Sequence, residues 1–274
     1  MSSQVTLLFR IPLAALLLAC AIPVFAADAH KGVNLYSIPQ EIALGRQMAA
    51  EVEKQTRLEA DPIVAEYINR LGQNLARRAN ADFAVTVKMI QSDEINAFTL
   101  PGGFVYVNSG LMKMADNEAE LASVIAHEIG HAAARHATRQ ATRGQLAKIA
   151  GIPLAVLIPG WAGFAASQTA RAAAPVASLH FSRAYETEAD LLGVRYLSEA
   201  GYDPNASIDM FERIASAERK TPGKVSKLFL SHPPTGDRIA KTQAEIGKLK
   251  GDADGYVLNT SEFEAVRNRL IALN

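Results

Sequence analysis

Residues 117–142 read NEAELASVIAHEIGHAAARHATRQAT, and the expected architecture builds outward from them. The composition is that of a single helix, with His127-Glu128-Ile129-Gly130-His131 in its middle. Two histidines four apart stack on one face of a 3.6-residue helix. Such a pair can grip one zinc ion, which accepts neutral imidazole nitrogen at about 2 Å. Glu128 lies about 100° around the helix from His127, where a carboxylate reaches a metal-bound water rather than the metal. Leu121, Val124, Ile125 and Ile129 supply an apolar face, and Glu118 and Glu120 suit the positive end of the helix dipole. Two histidines and a glutamate inside an apolar run are costly to bury unless something satisfies them.

The chain has 274 residues, formal net charge zero and 49% hydrophobic content, enough for a substantial core. Without runs of like charge, nothing points to a nucleic-acid partner. The single cysteine, Cys20, lies in the leader, which excludes a cysteine zinc site or thiol nucleophile in the mature chain. Residues 1–26 read as a signal peptide: Arg10, an apolar run from Ile11 to Val24, then Val24-Phe25-Ala26 before Ala27. The rival is a lipoprotein signal, Leu17-Leu18-Ala19-Cys20, in which Cys20 is acylated. Either leader takes the chain out of the cytoplasm, with the periplasm of a Gram-negative bacterium as the expected compartment.

Helical spacing runs from Pro39 to Arg78, with a start at Asp61-Pro62. Phe83, Val85 and Val87 alternate as a half-buried strand, as does Phe104–Val107. Between them Pro101, Gly102 and Gly103 mark a break or bulge at a sheet edge. Gly151–Ser167 carries no charge but contains Pro153 and Pro159. It reads either as a flexible lid or membrane-touching flap, or as two short core helices joined at Pro159-Gly160. Helices are expected over Arg183–Ala200, from Asp203-Pro204 to about Arg219, and over Ile239–Leu249. A polar linker at 251–255 precedes an extended piece and a closing helix. The expected class is α+β: mainly helical, with a small sheet whose edge strand flanks the zinc helix.

A catalytic zinc takes three protein ligands and keeps an open position. His136, nine residues from His127, rotates to the opposite face of a continuous helix, as a surface or outer histidine. The zincin pattern with a histidine six residues beyond His131 is excluded, because that position is Ala137. Glu186 and Asp190, four apart, share one face of the downstream helix, and Glu188 points away. The economical arrangement puts Glu186 on zinc and Asp190 behind it, fixing a ligand histidine. His232, in Ser231-His232-Pro233-Pro234, stabilises an oxyanion or takes the fourth zinc position. An ordinary loop histidine is the plain alternative.

Together HEIGH at 127–131, Glu186-Thr187-Glu188-Ala189-Asp190, Asn96-Ala97-Phe98 through Pro101-Gly102-Gly103, and Ser231-His232-Pro233-Pro234 resemble peptidase family M48, the gluzincins, in motif and order. The resemblance runs from about Glu41 to Leu249. It implies one zinc ion on His127, His131 and Glu186, Glu128 as base, and Asp190 in support. It also implies that Asn96, Ala97, Phe98, Gly102 and Gly103 belong to an edge against which a peptide lies, in keeping with strand pairing at an open edge. His232 is then a plug on the zinc, and Arg238 a basic residue pairing with a nearby acid. Domains follow: residues 1–26 a leader, 27–250 the peptidase, and 251–274 an extension packed on it. The helical repeats of the outer-membrane quality-control members are not apparent. The expected activity is zinc-dependent cleavage of unfolded or misassembled envelope and outer-membrane proteins. A chaperone-like binder with a plugged site is the rival.

Overall fold

The computed structural model describes residues 32–150, 181–220, 232–233, 235–249 and 255–273. The leader with Cys20, the run 151–167, His30, His180 and most of the linker at 251–255 lie outside them. Local chemistry sets the first helices. Ser37 opens α1 (Ile38–Gln55) reciprocally: its Oγ accepts from Gln40 N at 3.4 Å, while Gln40 Oε1 accepts from Ser37 N at 2.9 Å. Asp61 caps α2 (Pro62–Ala76), accepting from the amides of Ile63 and Val64. Pro62 sits in the first turn, where its missing N–H costs nothing.

The sheet contains β1 (Thr86–Ile90), β2 (Ala97–Leu100) and β3 (Phe104–Asn108), in the order β1-β3-β2. β1 runs parallel to β3, and β2 antiparallel to it, with Phe98 opposite Tyr106 and Thr99 opposite Val105. The first strand starts later than the Phe83–Val87 alternation implies. The carbonyl of Val85 is taken by the Gln73 side chain instead of a strand neighbour. β2 has only β3 beside it among the described residues, so its other edge is unpaired by any strand. A tight turn at Pro101–Gly103 returns the chain, with Gly102 at φ 74° and Gly103 at φ 87°. Both positions favour glycine. Gly102 abuts Ile42 and Gly103 abuts Ala84, so both are buried in the turn and expose little to a ligand.

Gly45 of α1 meets that turn so closely that a Cβ there would lie 1.7 Å from the carbonyl oxygen of Pro101. Alanine gains about 1 kcal/mol of helix propensity, but overpacking against backbone costs about 1–3 kcal/mol, and a contact this short belongs at the upper end. Gly45→Ala is expected to lower the unfolding free energy in urea.

Next come α3 (Ser109–Met114), α4 (Glu118–Ala133) and α5 (His136–Ala150). α4 is buried from Glu118 to Ala132 and forms the axis of the molecule. Against it pack α2, the sheet, α6 (Arg183–Glu199) and α7 (Ala206–Lys220), while α8 (Gly236–Ile246) packs on α6 and α7, and α9 (Ser261–Ala272) on α2 and α3. Ile68 and Leu71 of α2, Ile125 and Ile129 of α4, Leu197 of α6 and Phe263 of α9 share one apolar cluster. α4 and α6 approach closely at small residues. A Cβ on Gly130 would lie 2.9 Å from Ala189 O, and one on Gly193 3.0 Å from His127 N. This contact carries Glu186 and Asp190 to the histidines.

Two further expectations are corrected. The helix expected at Ile239–Leu249 runs from Gly236 to Ile246, because Thr235 caps it by accepting from Arg238 N. The stretch 117–142 is two helices, broken at Ala134 and Arg135. Arg135 has φ 57°, a left-handed backbone rare for a residue with a side chain. Its guanidinium holds the bend, with Nε 2.6 Å from Glu41 Oε2 and Nη2 donating to Tyr36 O at 2.6 Å. Thr138 also donates to Glu41 Oε2, at 2.9 Å, so this buried carboxylate is satisfied from both sides of the break.

Candidate metal centre

His127 and His131, one turn apart on α4, turn their Nε2 atoms to the same point, 3.0 Å from each other. α6 brings Glu186 against that point, with its oxygens 3.6 Å from His127 Nε2 and 3.5 Å from His131 Nε2. His232, preceding α8, completes the group: its Nδ1 is 3.0 Å from both Glu186 oxygens and 3.4 Å from His127 Nε2. All four side chains are buried and offer donor atoms within 4.8 Å of one another. Donors bound tetrahedrally at about 2.1 Å stand about 3.4 Å apart, a spacing these atoms match. Imidazole nitrogen and carboxylate oxygen are also among zinc's usual donors.

The surroundings favour positive charge at that point. Burial alone pushes His127 down, but Asp190 Oδ1, 2.9 Å from its Nδ1, and Glu186 overrule this and hold it up at about 10. Burial raises a carboxyl, yet His127 and His232 keep Glu186 well below the carboxylate range. Asp190 is likewise lowered against burial by Arg238 and His127. Burial and the neighbouring His127 push His131 well down, keeping its imidazole neutral. Arg238 forks onto Asp190, Nε to Oδ2 and Nη2 to Oδ1, both at 2.7 Å. Its Nη1 lies 3.1 Å from Glu186 Oε2 and donates to the carbonyls of His232 and Pro233 at 2.9 and 3.0 Å.

Glu128 is fully buried beside the donor set. Thr99 of β2 lies 2.9 Å from Glu128 Oε2 and 2.8 Å from Glu128 O, its one hydroxyl proton serving either. Glu128 Oε1 has no hydrogen-bond partner and faces His232 Nε2 at 3.6 Å. A buried, unpartnered carboxylate oxygen beside a cluster of metal donors has the placement of a proton acceptor.

Peptidase family M48 is the family whose profile fits this chain, over residues 62–246. The chain belongs to peptidase family M48. The beta-barrel assembly-enhancing protease of Escherichia coli K12 is 32% identical over 222 residues, covering 78% of this chain and 45% of that protein. The Yersinia pestis protein of that name is 33% identical over 221 residues, with 78% and 45% covered. Mitochondrial metalloendopeptidase OMA1 of Schizosaccharomyces pombe is 32% identical over 179 residues, covering 65% and 51%. The chain thus spans about half the length of these relatives. The helical α+β arrangement around a small sheet is the one expected of an M48 zincin.

Relative to the sequence expectations, the structure brings together His127, His131, Glu186, His232, Glu128, Asp190 and Arg238. Ala97 and Phe98 lie on β2, with Phe98 stacked on Tyr106 at 5.3 Å, and Asn96 just precedes the strand. Gly102 and Gly103 sit apart, inside the turn. Sequence reasoning missed Thr99, and it placed His136 as a surface or outer histidine and Glu188 away from the metal without finding that the two meet. His136 is not on an opposite surface; it is fully buried, with Nδ1 2.9 Å from His131 Nδ1 and Nε2 3.1 Å from Glu188 Oε2. The break at Arg135 turns it back towards α4. Glu188 points away from the metal point as expected, but towards His136. Thr99 carried one faint signal, its place on the strand expected to flank the zinc helix.

Proposed function

We propose that this chain is a zinc-dependent endopeptidase of the bacterial envelope, acting on unfolded or misassembled envelope proteins. The observation that carries this reading is the buried convergence of His127, His131 and Glu186 beside the unpartnered Oε1 of Glu128. These three residues would hold the ion. A bound zinc supplies Lewis acidity and draws the pKa of a water towards about 7. Glu128 Oε1 takes the proton from the attacking water and passes it to the leaving amine. Thr99 steadies Oε2, so that Oε1 is the oxygen free to act. Asp190 and Arg238 orient His127. The open edge of β2, including Ala97 and Phe98, aligns a substrate backbone by strand pairing, which reads extended chain more than side-chain identity.

His232 supports a second reading of the resting state. Its Nδ1 sits among the donors, and Arg238 clamps the carbonyls of His232 and Pro233. On this reading His232 blocks the site and withdraws to open it. Purified protein is expected to digest casein, to lose that activity to a chelator, and to regain it with Zn²⁺. His232→Ala is expected to cleave faster than wild type; slower cleavage would make His232 an oxyanion donor instead. If neither protein cuts while Glu128→Gln still binds unfolded clients, the chaperone-like reading replaces the protease.

The envelope assignment rests on the leader and on the bacterial relatives named for β-barrel assembly. Among the described residues no helix is long and apolar enough to cross a membrane. Mass spectrometry of the mature N-terminus distinguishes Ala27 from acylated Cys20. We retain 27–250 as the peptidase and 251–274 as its extension, whose α9 inserts Phe263, Val266 and Leu270 into the core.

A further inference from the structure

We infer that His136 and Glu188 form a relay that fixes the tautomer and tilt of His131, making both of them positioning residues for a metal ligand. The inference rests on the metal-centre reading above and starts from proton accounting. His131 directs Nε2 at the donor set, so that nitrogen must offer its lone pair and the ring proton must sit on Nδ1. Nδ1 lies 2.9 Å from His136 Nδ1, and two ring nitrogens at that distance share one proton. His131 therefore donates and His136 accepts. The proton of His136 is then on Nε2, 3.1 Å from Glu188 Oε2, which is ready to accept it. Arg139 Nη1, 3.3 Å from the same oxygen, balances the carboxylate. The opposite tautomer of His136 would set a lone pair against a carboxylate. Only one proton arrangement satisfies every atom.

The packing restrains both histidines of the relay. His136 is fully buried and stacks on Tyr185, centroids 4.4 Å apart and planes 20° apart. Phe181 stacks on His131 at 4.2 Å and 21°. Arg135 adopts an unfavourable backbone at φ 57°, and the resulting bend aims His136 at His131. Each ligand histidine thus has its own carboxylate, Asp190 directly for His127 and Glu188 through an imidazole for His131. Carboxylates behind ligand histidines raise ligand basicity and lock ring orientation.

The test measures affinity for Zn²⁺ alone, by competition with a chromophoric chelator, on the full chain. His136→Leu is expected to weaken binding by about 10–100-fold, the usual effect of losing such a partner. His136→Asn places an amide oxygen near the lost Nδ1 and is expected to recover most of the affinity. Glu188→Ala, at a half-exposed site that does not threaten folding, is expected to weaken binding less than His136→Leu. In the zinc-loaded protein the downfield proton resonance of His131 Nδ1–H is expected to move upfield in His136→Leu and return in His136→Asn. A purely space-filling His136 predicts the reverse ranking, with leucine the better replacement and the resonance unmoved. That result, or unchanged affinity in Glu188→Ala, would overturn the relay while leaving the metal centre standing. A wild type that takes up no Zn²⁺ would overturn both.

Discussion

Glu128→Gln is expected to lower kcat by about 10²–10⁴-fold, the span that a positioned general base contributes, with metal content unchanged. The substitution is nearly isosteric, and an amide can still meet the Thr99 hydroxyl that lies 2.9 Å from Oε2. What it removes is the basic oxygen. Oε1 is fully buried and has no hydrogen-bond partner, and no other carboxylate takes its place beside the donor set. Cleavage of a quenched peptide gives kcat, and metal analysis of the same sample separates chemistry from binding. Activity near wild type would remove Glu128 from the role of base. A loss of metal would instead place it among the ligands.

Arg238→Met is expected to cause the largest loss of stability, about 3–5 kcal/mol, because it breaks a buried ionic network from one side. The side chain is 3% exposed, and methionine fills much of its volume while removing the guanidinium shared by Asp190 and Glu186. The pH dependence follows from Asp190. Its folded pKa lies below the ordinary value despite burial, held there by Arg238 and His127. A depressed carboxyl contributes stability above its unfolded pKa, near 3.9, and loses it as pH falls through the folded value. The gap between wild type and Arg238→Met is therefore widest near neutrality and narrows below about pH 4. Urea unfolding at several pH values measures it. A gap that widened in acid would contradict the assigned pairing.

Much of the centre could be read before any coordinates because helix periodicity fixes direction over one turn. His127 with His131, and Glu186 with Asp190, needed only the four-residue repeat. The order of secondary elements followed from capping residues such as Asp61 and from the alternation in Phe104–Val107. Periodicity fails where a helix stops without a sign. Ala134-Arg135-His136 contains neither glycine nor proline, and the break is set by an ion pair to Glu41, distant in sequence. His136 was therefore projected along a helix that does not continue. Thr99 was missed for a related reason. A strand pattern gives the alternation of faces, but not which helix lies across them.

Thr99 also joins two parts of the proposed reaction. The strand whose open edge would align the peptide backbone is the strand whose hydroxyl meets the carboxylate of Glu128. Substrate and base therefore share one coordinate frame. A small drift of β2 carries both together and leaves their separation nearly constant, so alignment survives motions that would defeat two independently mounted parts.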